Sequence, residues 1–267
     1  MGTLRVRGVD LRVNRYRSGP DGPRPVIVFV HGLCVVDQSS LSFTLGLPLA
    51  THADVILYDL RGHGRSEVVP SGYRVVDHVA DLVALLDTLA VHEPVHLVAH
   101  SYGGAVAVVA ALRHGERVAS LTLVDGFLPF RGWGRLIDRT LQSAGRALRH
   151  EYSPEDAMRV LGMTSPRKAM AVAARARRLI LETTLSRDVR REPPLRRQDY
   201  ARIRCPVLGI YGDRSPLHPL AGKLRRRLPA AELHILAGAD HLLNLERPRE
   251  VRTLVSRFVG LPVGVPL

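Results

Sequence analysis

The sequence predicts an α/β protein: a mostly parallel central sheet with helices on both faces and a single helical insertion. Three observations carry this. Short β-branched and apolar runs recur as continuous stretches, the pattern of parallel strands buried on both faces. Segments of helical periodicity separate them. That alternation then fails once, over a long stretch with helical but no strand-like sequence.

Leu4 to Arg7 and Leu11 to Arg17 alternate apolar and basic residues around Gly8-Val9-Asp10, which predicts an edge hairpin with one wet face. Val26 to Val30 and Val55 to Tyr58 are unbroken apolar runs and read as central strands. Val76, Val79, Leu82, Val83, Leu86 and Leu89 recur at spacings of three and four, with Asp77, Asp81 and Asp87 turned outward, as on an amphipathic helix. Val95 to Val98, Leu121 to Val124, Val207 to Tyr211 and Glu232 to Leu236 supply the remaining strands. Between Gly126 and about Arg204 only helical stretches occur, over Trp133 to Leu148, Pro154 to Leu161 and Pro166 to Leu181. Pro193-Pro194 breaks the last of these and leads back toward the sheet. The expected division is therefore a core of residues 1–125 and 205–260, a helical lid over 126–204, and a loose tail over 261–267.

A chain of 267 residues with 46% hydrophobic content can bury one large core. It contains no run of eighteen apolar residues, so no membrane span is expected, and its first residues carry no apolar signal core, which reads as cytoplasmic. Cys34 and Cys205 are too few for a disulfide scaffold and lack metal-ligand spacing; two reduced thiols are expected. The twelve histidines form no pair with a carboxylate on one helical face, and no Gly-rich phosphate loop follows a first strand, so neither a metal nor a cofactor is expected.

A net charge of +13 would ordinarily suggest nucleic acid or another acidic partner. Only Lys168 and Lys223 are lysines, however, and so lopsided a ratio points to a GC-rich coding bias rather than to nucleic-acid binding. The charge is also uneven: residues 126–200 hold sixteen Arg and Lys against eight Asp and Glu. That surplus reads either as solvated helix faces or as a basic rim drawing an anionic or carrier-bound small-molecule substrate.

The chemistry enters at Val95-His96-Leu97-Val98-Ala99-His100-Ser101-Tyr102-Gly103-Gly104. An apolar run breaks at a serine among small residues and turns helical, the shape of a nucleophile elbow, with Ala99 where glycine is usual. A serine helix cap before a Gly-rich turn is the plainer reading of that segment alone. Two further segments lie downstream, Tyr211-Gly212-Asp213 and Gly238-Ala239-Asp240-His241.

With these, and with Val30-His31-Gly32-Leu33-Cys34 and Asp59-Leu60-Arg61-Gly62-His63-Gly64-Arg65-Ser66, the chain resembles the α/β-hydrolase superfamily from about Val26 to about Phe258. The chain order Ser101, Asp213, His241 is the one that this resemblance implies. It further implies an α/β-hydrolase fold with a helical lid inserted after the sixth strand, over the mouth of the site. Ser101 would be the nucleophile, His241 the base and Asp213 the acid, while the backbone N–H groups of Leu33 and Tyr102 form an oxyanion hole, Cys34 being the adjacent possibility. Asp125 is the alternative acid, since some members place it after that earlier strand. Cys34, Phe127, Phe130, Trp133 and Leu217 are the pocket candidates, and Leu136, Ile137, Met158, Met163 and Met170 add apolar surface within the lid. Asp240 is expected to orient the His241 loop, His31 to hold the oxyanion loop, and His100 to pack behind the elbow.

The leading expectation is a serine hydrolase that cleaves an ester, thioester or lactone of a medium-sized organic molecule through an acyl-enzyme. A lyase or other tailoring enzyme using the His-Asp pair as general base shares every motif. A binding protein without turnover is the reading outside catalysis.

Overall fold

The computed structural model describes residues 2–18, 22–149, 153–161 and 163–262. The first two strands, β1 (Gly2–Val6) and β2 (Val9–Tyr16), pair antiparallel as the expected hairpin, with Leu4 opposite Leu11. Their burial alternates residue by residue, so one face of the hairpin is covered and the other wet. β2 also pairs antiparallel with β4 (Asp54–Tyr58). From there β3 (Val26–Val30), β5 (Val95–His100), β6 (Val118–Val124), β7 (Val207–Gly212) and β8 (Glu232–Leu236) continue the sheet in parallel. The eight strands run in the order β1-β2-β4-β3-β5-β6-β7-β8.

Helices join the strands. The loop after β3 carries two single turns, α1 (Ser39–Leu41) and α2 (Leu47–Leu49), on either side of a π-helical turn over 42–46. No helical stretch was expected there; Leu41, Leu45 and Leu49 hold it down by burying completely. α3 (Val75–Thr88) follows β4 and buries Val79, Leu82 and Leu86 of the expected stripe, with Val75 and Leu85 beside them. Val76, Val83 and Leu89 are only partly buried, and Asp81, expected to face outward, is buried because Arg61 pairs with it at 2.6 Å. α4 (Gly103–Arg113) follows β5 and is apolar all round because it lies against the sheet under other elements.

The insertion between β6 and β7 is helical throughout its regular structure. α5 (Trp133–Ala147), α6 (Pro154–Leu161) and α7 (Pro166–Leu181) match the expected stretches to within a residue. Two shorter helices, α8 (Leu185–Arg190) and α9 (Arg197–Tyr200), lead back to β7. α10 (His218–Arg227) joins β7 to β8, and α11 (Leu243–Glu246) and α12 (Pro248–Val259) close the fold.

The sheet separates two cores, and alternate residues of one strand serve opposite ones. Val28 and Val30 of β3 pack with α3 and α4 side chains such as Val79, Leu82 and Val106. Ile27 and Phe29 pack with Leu41, Leu45, Val251 and Val255. That two-sided burial is why these strands are continuous apolar runs. Leu261 joins the second core at 7% exposure, against the loose tail expected from 261 onward. Residues 263–267 of that tail, and 150–152 and 162 within the insertion, lie outside the described residues.

Candidate active site

β5 ends in the sheet and the chain turns at once into α4, with Ser101 at the turn in left-handed backbone geometry, φ +54°. Such a conformation costs a non-glycine residue on the order of 1–3 kcal/mol and persists where packing imposes it. The packing here is glycine-dependent. A Cβ on Gly103 would lie 2.3 Å from Val30 O, and one on Gly104 would lie 2.8 Å from Gly126 Cα. Ser101 O is fixed by the N–H groups of Gly104 (2.9 Å) and Phe127 (2.8 Å). Ala99, fully buried between Val30 and Leu123, shows that a methyl fits where the usual pattern has glycine.

His241 arrives from the loop after β8. Its Nε2 stands 3.0 Å from Ser101 Oγ, and its Nδ1–H donates to Asp125 Oδ2 at 2.6 Å. A carboxylate on Nδ1 fixes the tautomer that leaves Nε2 free to accept the serine proton. The loop itself is pinned by Asp240, whose Oδ1 accepts from His241 N–H at 2.7 Å, as anticipated for that residue. His100 Nε2–H donates to His241 O at 3.0 Å, and the two rings lie 4.9 Å apart. Burial, with His241 alongside, lowers the His100 pKa to about 4, so it stays neutral.

The carboxylate partner differs from the one preferred on sequence. Asp213 is exposed and accepts from Gly238 N–H at 2.7 Å, which ties the base of the His241 loop, while Asp125 takes the imidazole. The reason is strand register. β5 and β6 are neighbours with His100 opposite Val124, so Ser101 and Asp125 emerge side by side from the sheet edge. Asp213 emerges beyond β7, one strand further out. Asp125 is fully buried and also accepts from Gly212 N–H (3.4 Å) and from Ser215 Oγ–H. The β7 turn thus supports the carboxylate rather than supplying it.

The His31–Cys34 loop lies opposite. His31 Nδ1–H donates to Gly32 O at 2.7 Å and Nε2 accepts from Leu60 N–H at 2.9 Å, so this buried ring is neutral and clamps the loop to the turn after β4. Within that turn Asp59 accepts from Gln38 N–H (2.9 Å) and Arg65 N–H (2.8 Å), and Ser66 accepts from Arg12 N–H (2.9 Å), a structural role throughout. Burial pushes the Cys34 thiol up to about 12, which keeps it protonated and poorly nucleophilic.

A cavity of about 600 Å³ opens from Ser101 and His241. Cys34 and Phe127, both pocket candidates, line it together with Leu33 and Tyr102. Three pocket candidates do not. Trp133 is 1% exposed and packs behind the Tyr102 ring at 6.2 Å; Leu217 is buried in the core beside α10; Phe130 lies under Lys223, whose Nζ is 3.6 Å from the ring centre. Each seats the insertion or α10 onto the sheet domain instead. Met158, Met163 and Met170 likewise pack between α6 and α7. Sequence reading missed the alanine stripe of α7, in which Ala173 and Ala176 sit below the cavity, and Ala144 and Ala147 of α5. Small residues at helical spacing are the signal that could have found them, because they leave room where a leucine stripe would fill it. Among the described residues, no group of three His, Cys, Asp or Glu side chains could hold a metal ion.

The Alpha/beta hydrolase family model matches residues 27–254. The chain belongs to that family. The hydrolase is 26% identical over 254 residues to 2-(acetamidomethylene)succinate hydrolase of Mesorhizobium japonicum, covering 89% of each chain. It is 28% identical over 276 residues to 2-hydroxy-6-oxononadienedioate/2-hydroxy-6-oxononatrienedioate hydrolase of Paraburkholderia phymatum, covering 95% of this chain and 92% of that one. Its fold superposes on a hydrolase from Pseudomonas aeruginosa PA01 with a TM-score of 0.76 and 26% identity, over 97% and 98% of the two chains. Among the described residues, no helix is long and apolar enough to cross a membrane.

Proposed function

We propose that this hydrolase cleaves carboxylic esters, or the chemically equivalent thioesters and lactones, whose acyl part is apolar, through an acyl-enzyme on Ser101. The observation that carries the reading is the Ser101–His241–Asp125 relay at one end of an apolar cavity. His241 Nε2 takes the Ser101 proton as Oγ attacks the carbonyl carbon, and the charge that develops on the carbonyl oxygen is met by the N–H groups of Leu33 and Tyr102. The imidazolium, held by Asp125, then gives its proton to the leaving alkoxide or thiolate. Water repeats the sequence on the acyl-enzyme and releases the acid, returning Ser101 and neutral His241.

The lining supports an apolar acyl group. The only Asp, Glu, Lys or Arg side chains among the described lining residues are Asp156 and Arg159, which pair with each other. Two of the relatives named above carry dicarboxylate or succinate names. A second carboxylate would find no unpaired cation in this lining, and burying it would be costly. The test is active-site labelling: a fluorophosphonate should label the wild-type protein and not Ser101→Ala, and only the wild type should hydrolyse p-nitrophenyl butanoate. Equal labelling, or turnover that survives Ser101→Ala but not His241→Ala, would turn the reading toward general-base chemistry without acylation.

A further inference from the structure

The cavity beside Ser101 is long rather than round, and α5 shows its length. Ile137, Leu141, Ala144 and Leu148 recur along one face of that helix and its C-terminal cap and form the inner wall, while Leu136, Thr140 and Ala147 form an exposed rim. From Ile137 to Leu148 the wall runs about 16 Å, at a helical rise of about 1.5 Å per residue. A rounded cavity of about 600 Å³ would be only about 10 Å across, so the space follows the helix.

The two ends of this channel differ. α5 begins at the reaction centre, where Trp133 packs behind the Tyr102 ring at 6.2 Å. It ends against α6 and α7, where Leu148 packs on Ala157, Ala169 and Ala173. α7 runs back along α5: a Cβ on Gly145 would lie 3.1 Å from Ile180 Cγ2, and Arg177 Nε–H donates to Leu148 O at 3.2 Å. Of the α7 residues that line the channel, Ile180 therefore stands level with Ala144, and Ala176 with Leu148. Next to Ala157 on α6, the exposed Asp156–Arg159 ion pair marks the far end. Apolar walls stabilise each methylene laid along them, whereas a solvated ion pair stabilises none. With C–C bonds of about 1.5 Å meeting at about 111°, an extended alkyl chain advances about 1.25 Å per carbon, so the wall spans about twelve carbons.

We propose that the channel between α5 and α7 takes a long linear acyl chain of about twelve carbons, with its carbonyl carbon at Ser101 and its tail at Leu148 and Ala176. That the chain is an acyl group rests on the ester-hydrolase reading above; the preference of the channel for a long alkyl chain does not. Ala144 sets the bore at mid-channel, about 10 Å beyond Ile137, and Ala176 sets it at the far end. A leucine at position 144 closes the channel to chains beyond about eight carbons, and one at position 176 meets only the last methylenes.

The experiment compares kcat/KM for p-nitrophenyl butanoate, octanoate and dodecanoate, each kept below the concentration at which it aggregates. In the wild type the dodecanoate should exceed the butanoate by at least about a hundredfold, well within what burying eight further methylenes can supply. Ala144→Leu should cut that ratio by about tenfold or more, and Ala176→Leu should lower the dodecanoate-to-octanoate ratio while leaving octanoate-to-butanoate as it was. Ratios within one protein cancel whatever a substitution does at the reaction centre. The Ser101→Ala protein reads the channel without turnover: dodecan-1-ol should bind at least about tenfold tighter than octan-1-ol, and Ser101→Ala/Ala144→Leu should lose that difference. A maximum at butanoate or octanoate, or ratios untouched by both substitutions, overturns the channel even if fluorophosphonate labelling and butanoate hydrolysis stand. Chain-length-dependent alcohol binding without any ester turnover by the wild type would uphold the channel and remove the hydrolase reading instead.

Discussion

Asp125 and Asp213 are the same side chain at the ends of adjacent strands, and their surroundings separate them. Asp125 has no exposure and receives Nδ1–H of His241, Gly212 N–H and Ser215 Oγ–H; Asp213 is open to solvent and receives one backbone N–H from Gly238. Only the first can fix a histidine tautomer and offset an imidazolium in a dry setting. Asp125→Asn should therefore keep the fold and lower kcat on p-nitrophenyl butanoate by on the order of 10⁴-fold, since the amide favours the wrong tautomer. Asp213→Asn should stay within a few-fold of wild type. The reverse ranking in steady-state kinetics would restore Asp213 as the acid. Ser101 and His241 were readable because each sits in a short local signature, whereas the choice between two strand-end aspartates depends on which strands are neighbours.

At the scale of elements, the elbow is a joint between β5 and α4 that closes only because glycine follows the serine. The contact at Gly103 is with backbone, the Val30 carbonyl at 2.3 Å from an added Cβ, and backbone in a central strand has nowhere to go. Gly103→Ala should lower unfolding stability by about 1–3 kcal/mol, the usual cost of overpacking. It should also reduce fluorophosphonate labelling by displacing Ser101. Gly115→Ala, with nothing within 4 Å of its added Cβ, is the matched control and should be neutral in the same urea titration. The insertion shows the opposite economy of space. α5, α6 and α7 were legible from periodicity alone, but the cavity was not, because Ala144, Ala173 and Ala176 make room only when the helices are set against one another.

Across the whole molecule, buried neutral histidines gather around the site. The rings of His31 and His63 are 5.3 Å apart, and those of His78 and Tyr102 5.8 Å. Burial lowers the pKa of His31 and His78, brings His63 to about 3 and brings His100 to about 4, from an ordinary 6.5. A histidine whose folded pKa is depressed leaves the unfolded state holding more protons once the pH drops below its ordinary value. Its stabilisation is full above 6.5 and is lost as the pH falls, down to about 4 for His100 and about 3 for His63. The unfolding free energy from urea titration should fall steadily over that range, by about 1 kcal/mol per pH unit for each of His63 and His100. A midpoint that stays level as the pH is lowered from 6.5 to 4 would show these rings to be charged or exposed.

The sequence by itself determined the strands, the helices of the insertion, the serine turn and the histidine loop, because each depends on neighbours within a few residues: periodicity, β-branching, small residues at a sharp turn. Tertiary structure alone decided that Asp125 rather than Asp213 meets His241, and that Trp133, Phe130 and Leu217 support the site instead of lining it. Those outcomes are set by register across a parallel sheet and by how helices seat on it. The partners involved are separated by a hundred residues or more, and no local pattern encodes which of them will touch.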